Sequence, residues 1–362
     1  MMDKQPWIGK PLADILFILS PPFLSLLLIF LFPGHFQDNQ EMPVAAWIVL
    51  VLLIDVAHVY STLYRTYFDP YALQHQRSLL WSIPLIGFVV GVMLYSINDL
   101  LFWRILAYTA VFHFVRQQYG FMRVYSRKEK VSHKYPALID KVTIYAAALY
   151  PIVYWHLSGP KNFNWFVPGD FVFVQSSSLL TIATGFYVMV IAAYLLKEIY
   201  WVIKNKTINL PKVLIIVGTI LSWYFGIIYF NGDMAFTLLN VVSHGVPYMA
   251  LVWFYGKKNY SKPERGSKFL KLIFSRYGII AFVLIVSLFA FIEEAIWDIA
   301  VWKEHQQVFG FTNLDFSLNE KLFSLLVPLL ALPQITHYIL DGFIWKVRED
   351  EFKWNSEVRK SQ

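Results

Sequence analysis

Four histidines, His58, His113, His244 and His337, sit inside four separate apolar stretches of the chain. Two of them have a carboxylate one helical turn away: Asp55 before His58 and Asp341 after His337. Ionisable side chains at membrane depth are costly and rare, and they usually mark ion, proton or substrate chemistry. Imidazole with carboxylate is a donor set for iron, copper, zinc, nickel or manganese. The absence of cysteine removes thiolate sites and disulfides. Spacings of three and four residues put each Asp–His pair on one helix face. Gln117, Asn240 and Gln334 extend the same faces beside His113, His244 and His337.

Roles follow from these types. The four histidines are the expected metal ligands, with Asp55 and Asp341 either joining them or orienting imidazole N–H groups. Gln117 and Asn240 are expected to shape the site with them. Arg65 and Arg116 lie toward one end of their segments. Snorkelling to the interface explains both, and the functional alternative is contact with an anionic headgroup or a cofactor propionate. A lone intramembrane histidine is also explained as polar glue between helices; four at one depth are harder to explain that way.

The elements that position these residues are legible from composition. Of 362 residues, 57% are hydrophobic and 15% charged, against about 25% charged in a soluble domain. The sequence predicts an all-α, polytopic integral membrane bundle in a single domain over residues 1–362. About ten transmembrane helices fall near 12–32, 44–64, 79–97, 100–122, 137–157, 172–200, 211–230, 234–256, 272–292 and 321–345. The first reads as a retained signal anchor. Segments expected on the inside hold 26 of the 31 Lys and Arg, and the opposite loops hold four. That alternation predicts cytoplasmic termini and an integral membrane location, the inner membrane if the source is bacterial. It also accounts for the net charge of +7 without invoking nucleic acid. Residues 293–320 are expected as an extracytoplasmic loop with room for a short interfacial helix.

In this topology the second, fourth, eighth and tenth spans run in the same direction. Counted from their inner ends at 1.5 Å per residue, the four histidines stand roughly 10 to 20 Å deep. One cluster is therefore predicted.

Three classes of chemistry fit it. A mononuclear non-haem iron oxygenase would act on a lipid or isoprenoid substrate entering from the bilayer. A haem-binding electron-transfer protein would use histidine pairs as axial ligands. A proton-coupled transporter would use the Asp/His cluster as a relay. Copper or zinc also suits the donors. No GxGxxG or GxxxxGK(S/T) fingerprint is present, so electrons would need a donor partner.

The segments DVAHVYSTLYRTY, VFHFVRQQYG and LPQITHYILDGFIW resemble the scattered histidine elements of the Brp/Blh family of integral-membrane carotene dioxygenases. The resemblance covers about fifty residues, and the His-Gly pair of SHGVPYM falls late in the chain. It implies iron as the metal, His58, His113, His244 and His337 as its ligands, and an apolar substrate of carotenoid type.

Overall fold

The computed structural model describes residues 5–36, 42–129, 134–260, 266–310 and 319–345. Expectations resting on Lys4, Asp38, Lys346 and the basic residues beyond it, and on 311–318, lie outside the described residues. Ten long helical elements follow one another. They are α1 (Pro11–Leu19 and Pro21–Leu31, bent by 55°), α2 (Val44–Arg65), α3 (Arg77–Ile97) and α4 (Asp99–Tyr125). Then come α5 (Lys134–Ser158), α6 (Ser177–Asn205), α7 (Leu210–Tyr229), α8 (Asp233–Asn259), α9 (Ile279–Trp302) and α10 (Glu320–Ile344). No strand occurs among the described residues, as expected where lipid cannot satisfy backbone polar groups.

Eight of these, α2, α3 and α5 to α10, are long and apolar enough to cross a membrane, and nine if the arms of α1 count as one span. The tenth expected span, α4, has 27 residues but carries Asp99, Arg104, Arg116 and Arg123, which lower its apolarity. Polar side chains start the helices. Asn98 accepts the Leu101 N–H at 2.8 Å and Asn319 the Leu322 N–H at 2.9 Å, each relieving an orphan donor.

The largest departure from the expected boundaries is α9. It ends at Trp302 rather than near 292, so Glu293 and Glu294 lie in the helix and not in a loop. Glu293 is buried and accepts hydrogen bonds from Tyr60 Oη at 2.5 Å, Trp297 Nε1 at 3.2 Å and Gln334. Those donors let a carboxylate continue the helix past the apolar run.

Side-chain contacts define the two ends of the bundle. At one end Arg127 donates to the carbonyls of Pro6 and Trp7, Gln5 donates to Ile208 O, and Tyr260 Oη donates to Tyr64 O. At the other, Asn231 accepts the Asn162 N–H and Trp47 stacks on His305 at 3.8 Å. Alternation of the ten elements between these ends is the arrangement the basic residues predict. At the first end Lys212 reaches Glu129 at 2.8 Å and Asp140 at 2.9 Å, and Lys197 pairs with Asp140. This paired network lets Lys212 lie buried and Lys197 half-buried.

The helix α8 is the most enclosed, with 78% of its apolar window buried against 17% for α6. Five of the elements contain π-helical turns: Ile15–Leu19 in α1, Ile48–Val56 in α2, Tyr224–Tyr229 in α7, Thr237–Val241 in α8 and Asp298–Trp302 in α9. Those of α2 and α8 end shortly before His58 and His244.

Candidate metal centre

The four histidines converge. His58 from α2, His113 from α4, His244 from α8 and His337 from α10 are all buried, and one ligand atom from each lies within 4.8 Å of the others. His244 Nε2 stands 3.1 Å from His58 Nε2 and 3.2 Å from His113 Nε2. For metal–nitrogen bonds of about 2.1 Å, ligand nitrogens at 90–109° are separated by about 3.0–3.4 Å. The observed spacing falls in that range.

Proton accounting gives the same answer. His58 Nδ1 lies 3.2 Å from the Ile54 carbonyl; a carbonyl only accepts, so Nδ1 carries the proton and Nε2 keeps its lone pair. At His337, Nδ1 lies 2.7 Å from Thr62 Oγ1, which lies 2.9 Å from Tyr248 Oη. The Tyr248 hydroxyl donates to Asp341 Oδ1 at 2.5 Å. With its proton so used, Tyr248 accepts from Thr62, Thr62 accepts from His337 Nδ1, and His337 Nε2 is left with a lone pair. That nitrogen is buried with no hydrogen-bond partner, an expensive state unless a cation takes it. A proton on His244 Nε2 serves one of its two neighbours and leaves the other unmet. One cation serves all four. The residues present fit a bound metal ion.

Local sequence explains how the rings are held. Pro247 has no N–H, so the Ser243 carbonyl lacks its helical donor. Gln118 Nε2 approaches that carbonyl at 3.5 Å, and Gln118 Oε1 accepts the Thr219 hydroxyl at 3.0 Å. Gln117 Nε2 donates to the next carbonyl, that of His244, at 3.1 Å. The His244 ring stacks on Phe114 with centroids 3.6 Å apart and planes 8° from parallel. Gly245 brings α8 against α2, where a Cβ would meet Ile54 O at 3.1 Å and His58 Nδ1 at 3.3 Å.

The two aspartates differ. Asp341 Oδ2 lies 3.7 Å from His113 Nδ1 and Oδ1 lies 3.9 Å from His337 Nδ1, so one carboxylate faces two ligand rings. Asp55 Oδ1 lies 3.7 Å from His58 Nδ1, but its side chain is 37% exposed against 10% for Asp341. Asn240 turns back on its own helix, donating to Phe236 O at 3.1 Å, and packs against Gly226. The two arginines are not brought to the histidines. Arg65 is buried at the end of the bundle, donating to Ile344 O at 3.2 Å with its guanidinium 4.1 Å from the centroid of the Tyr255 ring. Arg116 is on an exposed face and donates to Tyr145 Oη at 2.8 Å. Thr62 and Tyr248 adjoin the centre without a sequence signal of their own, since a hydroxyl in a span is common; Glu293, which binds Tyr60, Trp297 and Gln334, reads as loop.

Comparison of the chain with protein-family models, with curated proteins and with solved structures finds no match. The four-histidine geometry therefore carries the functional reading.

Proposed function

We propose that the protein is a membrane-embedded, metal-dependent oxidoreductase, with non-haem iron held by His58, His113, His244 and His337 and an apolar lipid or isoprenoid as substrate. The observation that carries this reading is the set of four ring nitrogens within 4.8 Å of one another inside the bundle, three of them on helices apolar enough to cross a membrane. Neutral imidazoles suit iron, copper and zinc, and the resemblance of the histidine segments to the Brp/Blh elements supports iron. When bound, iron would be held by the four imidazoles and would supply redox chemistry toward dioxygen. The Asp341 carboxyl faces two of the histidine rings, and the Thr62–Tyr248 relay fixes the His337 tautomer. The buried position keeps bulk water from the centre. Haem draws less support: axial nitrogens on opposite sides of the iron stand two bond lengths, about 4 Å, apart, whereas His244 Nε2 lies only 3.1 and 3.2 Å from the two nearest ring nitrogens.

The test is elemental analysis of protein purified in detergent, with parallel loading by ferrous, zinc and cuprous ions. About one transition metal per chain is expected, iron preferred, and its loss in His113→Ala and His337→Ala variants that still insert. Full occupancy in both variants, or no uptake by the wild-type protein, overturns the reading.

A further inference from the structure

Beside His337, α2, α3 and α10 line an open cavity of about 270 Å³. Val59, Leu63, Pro84, Leu332 and Leu340 line it, and His337 is part of its wall. No Asp, Glu, Lys or Arg contributes to the lining. Four of its five hydroxyls are committed to the protein. Tyr60 Oη donates to Glu293, Thr62 Oγ1 bridges His337 and Tyr248, and Thr66 Oγ1 donates to Thr62 O at 2.8 Å. Tyr67 Oη donates to Leu80 O at 2.6 Å, the carbonyl that Pro84 deprives of its helical N–H. A wall with most of its hydroxyls already engaged presents mainly hydrocarbon to whatever enters.

The rim faces the side of the bundle. Leu329 in the lining is 52% exposed, and the neighbouring outer positions Leu85, Ile86 and Leu325 are exposed as well. These are the lipid-facing surfaces of α3 and α10. At ~30 Å³ per water-sized group, the chamber holds on the order of nine chain atoms, one slender tail.

We propose that this chamber binds the hydrocarbon tail of a neutral lipid that enters sideways from the bilayer between α3 and α10. The tail would end at His337, and that end point as the reacting position rests on the metal-centre reading above. Occupancy of the chamber by a tail does not.

The experiment uses the full chain in vesicles of phosphatidylethanolamine and phosphatidylglycerol containing a long-chain alcohol with a photoreactive diazirine in its tail. After irradiation the labelled peptides are mapped and metal content is measured on the same samples. Label is expected on residues 59–67 and 329–340, displaced by excess unlabelled long-chain alcohol. It is expected to be lost in Leu332→Trp and in Leu63→Trp, which fill the chamber. Leu196→Trp, on the lipid face of α6 (68% exposed), should keep it. Label spread over the exposed faces of α3 and α6 with no excess at the chamber overturns the proposal, as does chamber label that excess alcohol does not displace. The competition needs no variant, so it decides the question even where a filled variant fails to insert. Chamber label without bound metal sinks the metal reading alone; metal without chamber label sinks this one alone.

Discussion

Asp341, on α10, presents Oδ2 to His113 Nδ1 on α4 at 3.7 Å, while its Oδ1 accepts the Tyr248 hydroxyl of α8 at 2.5 Å. One carboxylate thus ties three helices to the centre without being one of the four converging ligands. Carboxylates placed behind ligand imidazoles typically change metal affinity 10–100-fold. Asp341→Asn keeps the shape and replaces the carboxyl with an amide. Its affinity for ferrous ion, read by chelator competition, should fall by about that factor while the protein remains folded.

Tyr248→Phe should weaken metal binding although Tyr248 is not a ligand. Without the tyrosine oxygen to donate to, the Thr62 proton turns to His337 Nδ1 and drives the ring proton to Nε2, the nitrogen the metal needs. Adding Thr62→Val removes that donor and should restore part of the affinity. Chelator competition on the single and double variants checks the order; equal loss in both rejects the relay.

Gly245→Ala places a methyl 3.0 Å from Ile54 Cγ2, 3.1 Å from Ile54 O and 3.3 Å from His58 Nδ1. Overpacking of this kind costs about 1–3 kcal/mol, and here it also displaces a ligand. Gly120→Ala, with nothing within 4 Å of the new methyl, should be neutral or slightly stabilising as expected inside a helix. Thermal unfolding in one detergent, with and without added metal, separates the two.

Tyr67 and Pro84 form a pair on either side of the Leu80 carbonyl. Tyr67→Phe leaves that carbonyl unmet and should cost about 1–2 kcal/mol. In a Pro84→Ala background the helix supplies its own N–H, so the cost should shrink. A double-mutant cycle on thermal stability measures the coupling.

Asp170, in the loop between α5 and α6, gives a pH signature away from the helices. Burial raises its carboxyl pKa from 3.8, and the backbone N–H groups of Phe166, Val167, Trp165 and Phe171 oppose that rise only in part. The folded state therefore binds this proton more tightly than the unfolded chain does. Its contribution to stability is full below 3.8 and is lost as pH rises through the raised folded value. Asp170→Asn should flatten melting temperature against pH across that window; an unchanged slope rejects the assignment.

Much of the centre was legible because depth can be counted. His58, His113, His244 and His337 each sit a similar number of residues from a basic helix end, and helices of 1.5 Å rise convert that count into a common level. Asp341 followed from its four-residue spacing. Asn240 did not, although it too lies four residues from His244: the π-helical turn over Thr237–Val241 breaks the α phase on which the spacing argument depends. Glu293 was hidden because hydropathy ends at Ile292, whereas the helix runs on once Tyr60, Trp297 and Gln334 satisfy the carboxylate. Thr62 and Tyr248 are ordinary residues by type, and only their hydrogen-bond order gives them a role.

The ligands are spread from α2 to α10, and this has a consequence for biogenesis. No nascent chain lacking α10 can offer all four imidazoles, so a cation held by all four would be captured only after insertion of α10. Such a cation would act as a rivet across helices far apart in synthesis order, and its loading would report that these helices have closed around it.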